Sequence, residues 1–114
     1  MDYKSIIRNN YELLKEMQET MTKEQDIQGA IIKYIQSIGG MAFKQNQIGI
    51  YAQAGVPDLL CCVKGRFVAI EVKKPKKKPT AIQNAFIEAI NKCGGLAFYA
   101  TSVEEVKSTI ENNL

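Results

Sequence analysis

The chain has 114 residues, 46% hydrophobic and 24% charged, which is enough for one globular domain around a single core. It contains no histidine, which excludes His-based triads and His-ligated zinc and leaves carboxylates, lysine, tyrosine or water for any chemistry. The net charge is +3, and the excess sits in one place, because residues 59–80 carry seven basic residues and one acidic residue.

Taken in order, residues 3–19 place Ile6, Ile7, Leu13, Leu14 and Met17 at helical spacing without Gly or Pro. Residues 1–21 are therefore read as an additional N-terminal helix that packs on the core or makes a dimer contact. Thr22-Lys23-Glu24-Gln25 reads as a capping box, with Thr22 receiving the Gln25 amide. The next helix carries Ile27, Ala30, Ile31, Tyr34, Ile35 and Ile38 on one face, and Gly39-Gly40 ends it. Glu24 projects from the edge of that face, with Gln28 one turn on. An acid in the first turn also favours the helix dipole, which explains Glu24 without any further role.

Met41 to Gln45 is expected as a strand, and residues 47–57 as a glycine-punctuated loop. Leu59 to Val63 and Phe67 to Val72 are apolar runs of the kind found in strands covered on both faces. Lys64-Gly65 supplies the tight turn between them. Thr80 and Gln83 form a second capping box, and Ile82, Phe86, Ala89, Ile90 and Cys93 make the apolar stripe of the helix they open. Gly94-Gly95 stops that helix, Leu96 to Ala100 is a strand, and Ser102 caps a last helix with Val103, Val106 and Ile110 facing inward. The order is α-α-β-β-β-α-β-α.

Charges in the two apolar runs point to chemistry. A two-residue turn at Lys64-Gly65 pairs Val63 with Arg66 and carries Asp58 opposite Glu71. Directly paired residues hold their Cβ atoms roughly 4.5–5.5 Å apart. Two carboxylates that close repel unless a cation lies between them or one is protonated. Mg²⁺ is a hard ion that takes one or two such carboxylates with waters and substrate phosphate. Period-2 alternation adds Lys73 to the Glu71 face. A lysine there can meet a phosphate oxygen or the attacking water, and a metal that lowers the water's pKa makes hydrolysis possible without histidine. A structural Glu71–Lys73 ion pair is the plainer explanation of the same residues. The Pro57-Asp58 element and the lysines that follow favour the catalytic one.

Together these residues, Gly55-Val56-Pro57-Asp58-Leu59 and then Glu71-Val72-Lys73, resemble the PD-(D/E)xK nuclease signature. Glu24 with Ile27-Gln28, and Thr80 with Gln83, extend the resemblance to the virus-type replication-repair nuclease (VRR-NUC) branch over residues 22 to about 108. The resemblance implies an α/β, restriction-endonuclease-like core, with a mixed central sheet flanked by helices. In it Asp58 and Glu71 would ligate Mg²⁺ or Mn²⁺, with the Val72 carbonyl contributing. Lys73 would position or activate the attacking water. Glu24 would support the site through water or a second metal, and Gln83 would approach from the helix after the lysines.

The resemblance further implies a metal-dependent endonuclease acting on DNA, branched DNA in particular, in phage or viral replication, recombination or repair, with a homodimer as the expected assembly. Lys74, Lys76, Lys77 and Lys78 would bind nucleic acid, in keeping with a localised basic patch. A solvated lysine loop is the simpler account of such a run. The alternative is a non-catalytic nucleic-acid-binding module with a nuclease-like core. No apolar run reaches the roughly 18 residues of a membrane span. Asp2, Lys4, Arg8 and Glu12 interrupt any signal-peptide core. Three cysteines, Cys61, Cys62 and Cys93, lack zinc-ligand spacing and fit a reducing cytosol, which the resemblance implies is that of a phage or bacterial host. Cys61 and Cys62 are expected in or near the core.

Overall fold

Lys64 and Gly65 both have positive φ, 52° and 76°, which is the type I′ geometry whose twist matches two antiparallel strands. They join β2 (Leu59–Val63) to β3 (Arg66–Val72) with Val63 opposite Arg66 and Leu59 opposite Ile70. This hairpin is the centre of the computed structural model, which describes residues 23–45 and 54–114. Before it come α1 (Glu24–Ser37) and β1 (Met41–Lys44). After it come α2 (Ala81–Lys92), β4 (Leu96–Ala100) and α3 (Val103–Asn113). The helix expected over residues 1–21 lies outside the described residues, as does Thr22.

The sheet runs β1-β2-β3-β4. β1 and β3 flank β2 antiparallel, and β4 lies parallel to β3. A parallel neighbour requires a crossover, and α2 is that crossover. The mixed α/β sheet matches the expected fold class, and the order of the described elements follows the expected one.

Alternation sends Leu59, Cys61 and Val63 to one face, with Val68, Ile70 and Val72 beside them. Ile27, Ile31 and Ile35 of α1 and Val103, Val106 and Ile110 of α3 close over that face as the main core. The same alternation splits the adjacent cysteines. Cys61 is buried and its thiol is pushed up to about 11 by desolvation, which leaves it inert, whereas Cys62 is exposed.

The opposite face departs from the expectation of two covered faces. Among the described elements α2 packs only on β3 and β4, and no residue of α2 is fully buried. Ala69 and Glu71 are covered, but Met41, Phe43 and Phe67 are 65%, 55% and 45% exposed. The stripe on α2 is correspondingly shallow, with Ile82 48% exposed and only Phe86, Ile87 and Ile90 half-buried among its large apolar side chains.

The helix starts also differ in register. The N-cap of α1 is Lys23, whose side chain makes no capping bond, and its carbonyl accepts from Asp26 and Ile27. The expected box at Thr22 is therefore one residue out of step. Lysine has no acceptor to offer, and Glu24 and Asp26 in the first turn favour the dipole instead. The box at Thr80 and Gln83 is complete, and Ser102 accepts from the Glu105 N–H as expected.

Candidate active site

Asp58 stands one residue before β2 and continues the register that pairs Leu59 with Ile70, so it faces Glu71. Its main-chain carbonyl accepts from Gln45 on the β1 side at 2.7 Å. Its side chain turns the other way, and Oδ2 accepts from the Val72 N–H at 2.9 Å. In extended backbone the N–H and C=O of one residue leave the same edge of the strand, so the Val72 carbonyl lies on the Asp58 side as well.

The approach to Asp58 is fixed by Gly55. Its φ is +89°, and a Cβ there would lie 2.9 Å from a Phe86 ring carbon and 3.0 Å from the Ile82 carbonyl oxygen. The loop thus rests directly on α2, a contact that only glycine permits. Sequence reading took Gly55 as loop punctuation and missed this role. Its place two residues before Pro57-Asp58 was the available signal.

Glu71 is 2% exposed on the α2 face of β3. Its Oε1 accepts from Gln83 Nε2 at 2.9 Å and lies 3.6 Å from Lys73 Nζ. Gln83 keeps its capping role at the same time, because its Oε1 accepts from the Thr80 N–H at 2.9 Å. The amide thus ties the start of α2 to the middle of the sheet. Glu71 Oε2 is buried and has no hydrogen-bond partner among the described residues. Burial first, and then the Asp58 charge, raise the Glu71 carboxyl from 4.5 to about 7 against the opposing pull of Lys73.

The structure therefore brings Asp58, Glu71, Lys73 and Gln83 together. Glu24 sits half-exposed at the first position of α1. No group of three or more Asp, Glu or Cys side chains with metal-ligand geometry forms among the described residues, so Glu24 is no third direct carboxylate beside the pair. Gln28 is 6% exposed, and its Oε1 is a second buried acceptor without a donor among the described residues. Lys74, Lys76, Lys77 and Lys78 are exposed in the connection from β3 to α2. Lys76 to Lys78 line a cleft of about 480 Å³ with Tyr99, Thr101, Glu105 and Thr109.

This donor set fits a hard divalent cation. A buried carboxylate oxygen left without a donor costs stability, and a second carboxylate beside it makes that cost larger. A cation held by Asp58, Glu71 Oε2 and the Val72 carbonyl would offset both terms. Two carboxylates and a carbonyl are the oxygen ligands that Mg²⁺ accepts.

No protein-family profile and no curated protein matches the chain. Solved structures do. A VRR_NUC domain aligns over 82% of this chain and 100% of its own, with a TM-score of 0.67 and 28% identity. A VRR_NUC domain protein aligns over 82% of this chain and 88% of its own, with a TM-score of 0.62 and 21% identity, and shares the fold. A mixed sheet of this topology, with the acidic pair and lysine at its hairpin, is a nuclease-like α/β domain. Within that class the similarity supports a VRR-NUC domain. Among the described residues no helix is long and apolar enough to cross a membrane.

Proposed function

We propose that the protein is a divalent-metal-dependent endonuclease that hydrolyses DNA phosphodiester bonds. The observation that carries this reading is the buried Glu71 carboxylate, with one oxygen held by Gln83 and Lys73 and the other open beside Asp58. Asp58, Glu71 and the Val72 carbonyl would hold Mg²⁺ or Mn²⁺. When bound, the cation would screen the phosphate charge and lower the pKa of the attacking water. Lys73, only 15% exposed in its side chain, is held by Glu71 and presents its ammonium group to a phosphate oxygen or to the water. Gln83 positions Glu71 and keeps its lone pairs directed. Lys74, Lys76, Lys77 and Lys78 would contact the backbone of the strand.

Branched DNA is the preferred substrate on this reading, because the chain offers a backbone-binding patch and, among the described residues, no helix presented for reading bases. Glu24 would reach the site through water. A homodimer would place one site on each of two strands at a junction. A phage or viral role in the host cytoplasm, and a single domain over residues 1–114 with 1–21 as an added helix, complete the proposal.

The test is cleavage of duplex, flap, splayed and four-way-junction DNA with Mg²⁺, Mn²⁺ or EDTA. Asp58→Asn, Glu71→Gln and Lys73→Met should each abolish metal-dependent cutting while circular dichroism stays native. Undiminished cutting in EDTA, or by all three variants, would overturn the reading. Salt-sensitive binding with no cutting under any metal would instead make the protein a nucleic-acid-binding module.

A further inference from the structure

The parallel ladder places Tyr99 of β4 opposite Glu71 of β3, so Tyr99 shares the face that carries the acidic site. Neighbouring strands lie about 4.8 Å apart, so the two residues are immediate neighbours. Leu96, Ala97 and Ala100 of the same strand are buried, but Tyr99 is 41% exposed. The tyrosine lines the cleft of about 480 Å³ together with Lys76, Lys77 and Lys78. That volume falls within the roughly 300–1,000 Å³ of small-ligand sites, which leaves room for one nucleotide.

The backbone of β4 adds a second feature. Ala100 turns its carbonyl to β3, where it accepts from the Lys73 N–H. By alternation Ala97, Tyr99 and Thr101 turn their N–H and C=O groups to the outer edge. Asn91 satisfies both groups of Ala97, and Glu105 accepts from the Thr101 N–H and hydroxyl. Among the described residues the open stretch of that edge is at Tyr99, between those two closures. A base entering there meets an aromatic face, a backbone edge that no described residue pairs and, in the same cleft, three lysines for its phosphates. The Glu105 carboxylate is already engaged through both oxygens.

We infer that this cleft is a stacking subsite in which Tyr99 holds an unpaired base of the substrate strand next to the scissile phosphate. A base in a duplex is stacked on its neighbours and cannot enter such a cleft, so the preferred substrate has a single-stranded or splayed segment at the cut. Aromatic stacking accepts any base, and so this recognises strand state and not sequence. The inference rests on the nuclease reading above.

The test uses a splayed duplex with 2-aminopurine in the unpaired arm beside the junction, and a fully paired duplex of the same sequence, both in EDTA so that nothing is cut. Wild type and Tyr99→Phe should quench the probe in the splayed substrate. Tyr99→Ala should lose the quenching and bind the splayed substrate about 10-fold more weakly, with duplex affinity unchanged. Thermal melting of both variants establishes that they fold. If Tyr99→Ala binds, quenches and, with Mg²⁺, cuts the splayed substrate like wild type while Glu71→Gln cuts nothing, the subsite is overturned and the nuclease reading stands. If wild type binds neither DNA, both fall together.

Discussion

Gln83 donates to Glu71 at 2.9 Å while its own carbonyl oxygen accepts from the Thr80 N–H at 2.9 Å. One amide therefore closes the first turn of α2 and orients the buried carboxylate of β3. Helix capping and site geometry are coupled through a single side chain.

That coupling can be separated by mutation. Thr80→Ala removes the hydroxyl that accepts from the Gln83 N–H but keeps the backbone N–H that orients the amide. It should cost about 0.5–2 kcal/mol of stability, read by urea denaturation. Gln83→Ala removes the donor to Glu71 as well. Residues that orient a metal-ligating carboxylate typically matter by about 10–100-fold, so the cleavage rate at fixed Mg²⁺ should fall by that amount. Equal rates for the two variants would show that Gln83 serves only the cap.

The raised Glu71 carboxyl makes stability fall with pH in the metal-free protein. Below the unfolded value of 4.5 both states are protonated at this position. Between 4.5 and about 7 the unfolded chain releases the proton and the folded one retains it, which favours unfolding. The loss should total about 3 kcal/mol and level off above pH 7. Glu71→Gln removes the titrating group, so its contribution to the slope should vanish and the metal-free variant should be the more stable at pH 8. Millimolar Mg²⁺ should flatten the wild-type profile and leave the variant unchanged. Urea denaturation at pH 5 and 8, with and without Mg²⁺, measures all of this.

Much of this site was legible in the sequence because its geometry is local. Lys64-Gly65 is a short turn, the turn sets the register, and the register brings Asp58 to Glu71 and alternation brings Lys73. Gln83 was legible as a cap from the box at Thr80, and as a site residue only through the family resemblance. The face that the described helices leave uncovered was not legible. Phe67 is a good strand residue whether or not a helix lies over it, so an apolar run does not report what covers it. Tyr99 was missed for a longer-range reason. Its position opposite Glu71 depends on how far α2 carries the chain before β4 begins, and no local pattern encodes that.

Gly55 supports the site from outside it. Gly55→Ala would force a Cβ against the Phe86 ring and the Ile82 carbonyl at a φ of +89°. The substitution should cost at least about 1 kcal/mol, because alanine is strained at positive φ. The loop can relieve the contact only by lifting from α2, and Asp58 would move with it. Cleavage should therefore fall by more than the small loss of folded protein explains. An alanine variant with wild-type cleavage per folded molecule would show that Asp58 is positioned by the hairpin alone.

Lys76 carries a cost that its charge would explain. Its φ is +71°, in a turn closed by the Lys77 N–H to the Lys74 carbonyl with Pro75 before it, which is the arrangement of a type II turn. Glycine is the ordinary residue at that position, since an L side chain there is strained by about 1–2 kcal/mol. Lys76→Gly relieves the strain but loosens the unfolded chain, so the net gain in stability should be below about 1 kcal/mol. On the proposed reading the same change removes one phosphate contact from the cleft that Tyr99 lines. The salt dependence of single-strand binding, log Kd against log salt, should then become shallower by about 0.7. Higher stability with weaker, less salt-sensitive binding is the paired outcome expected of a lysine kept in a strained turn for its charge. A glycine variant that gains stability and binds DNA with the wild-type salt slope would leave Lys76 outside the interface.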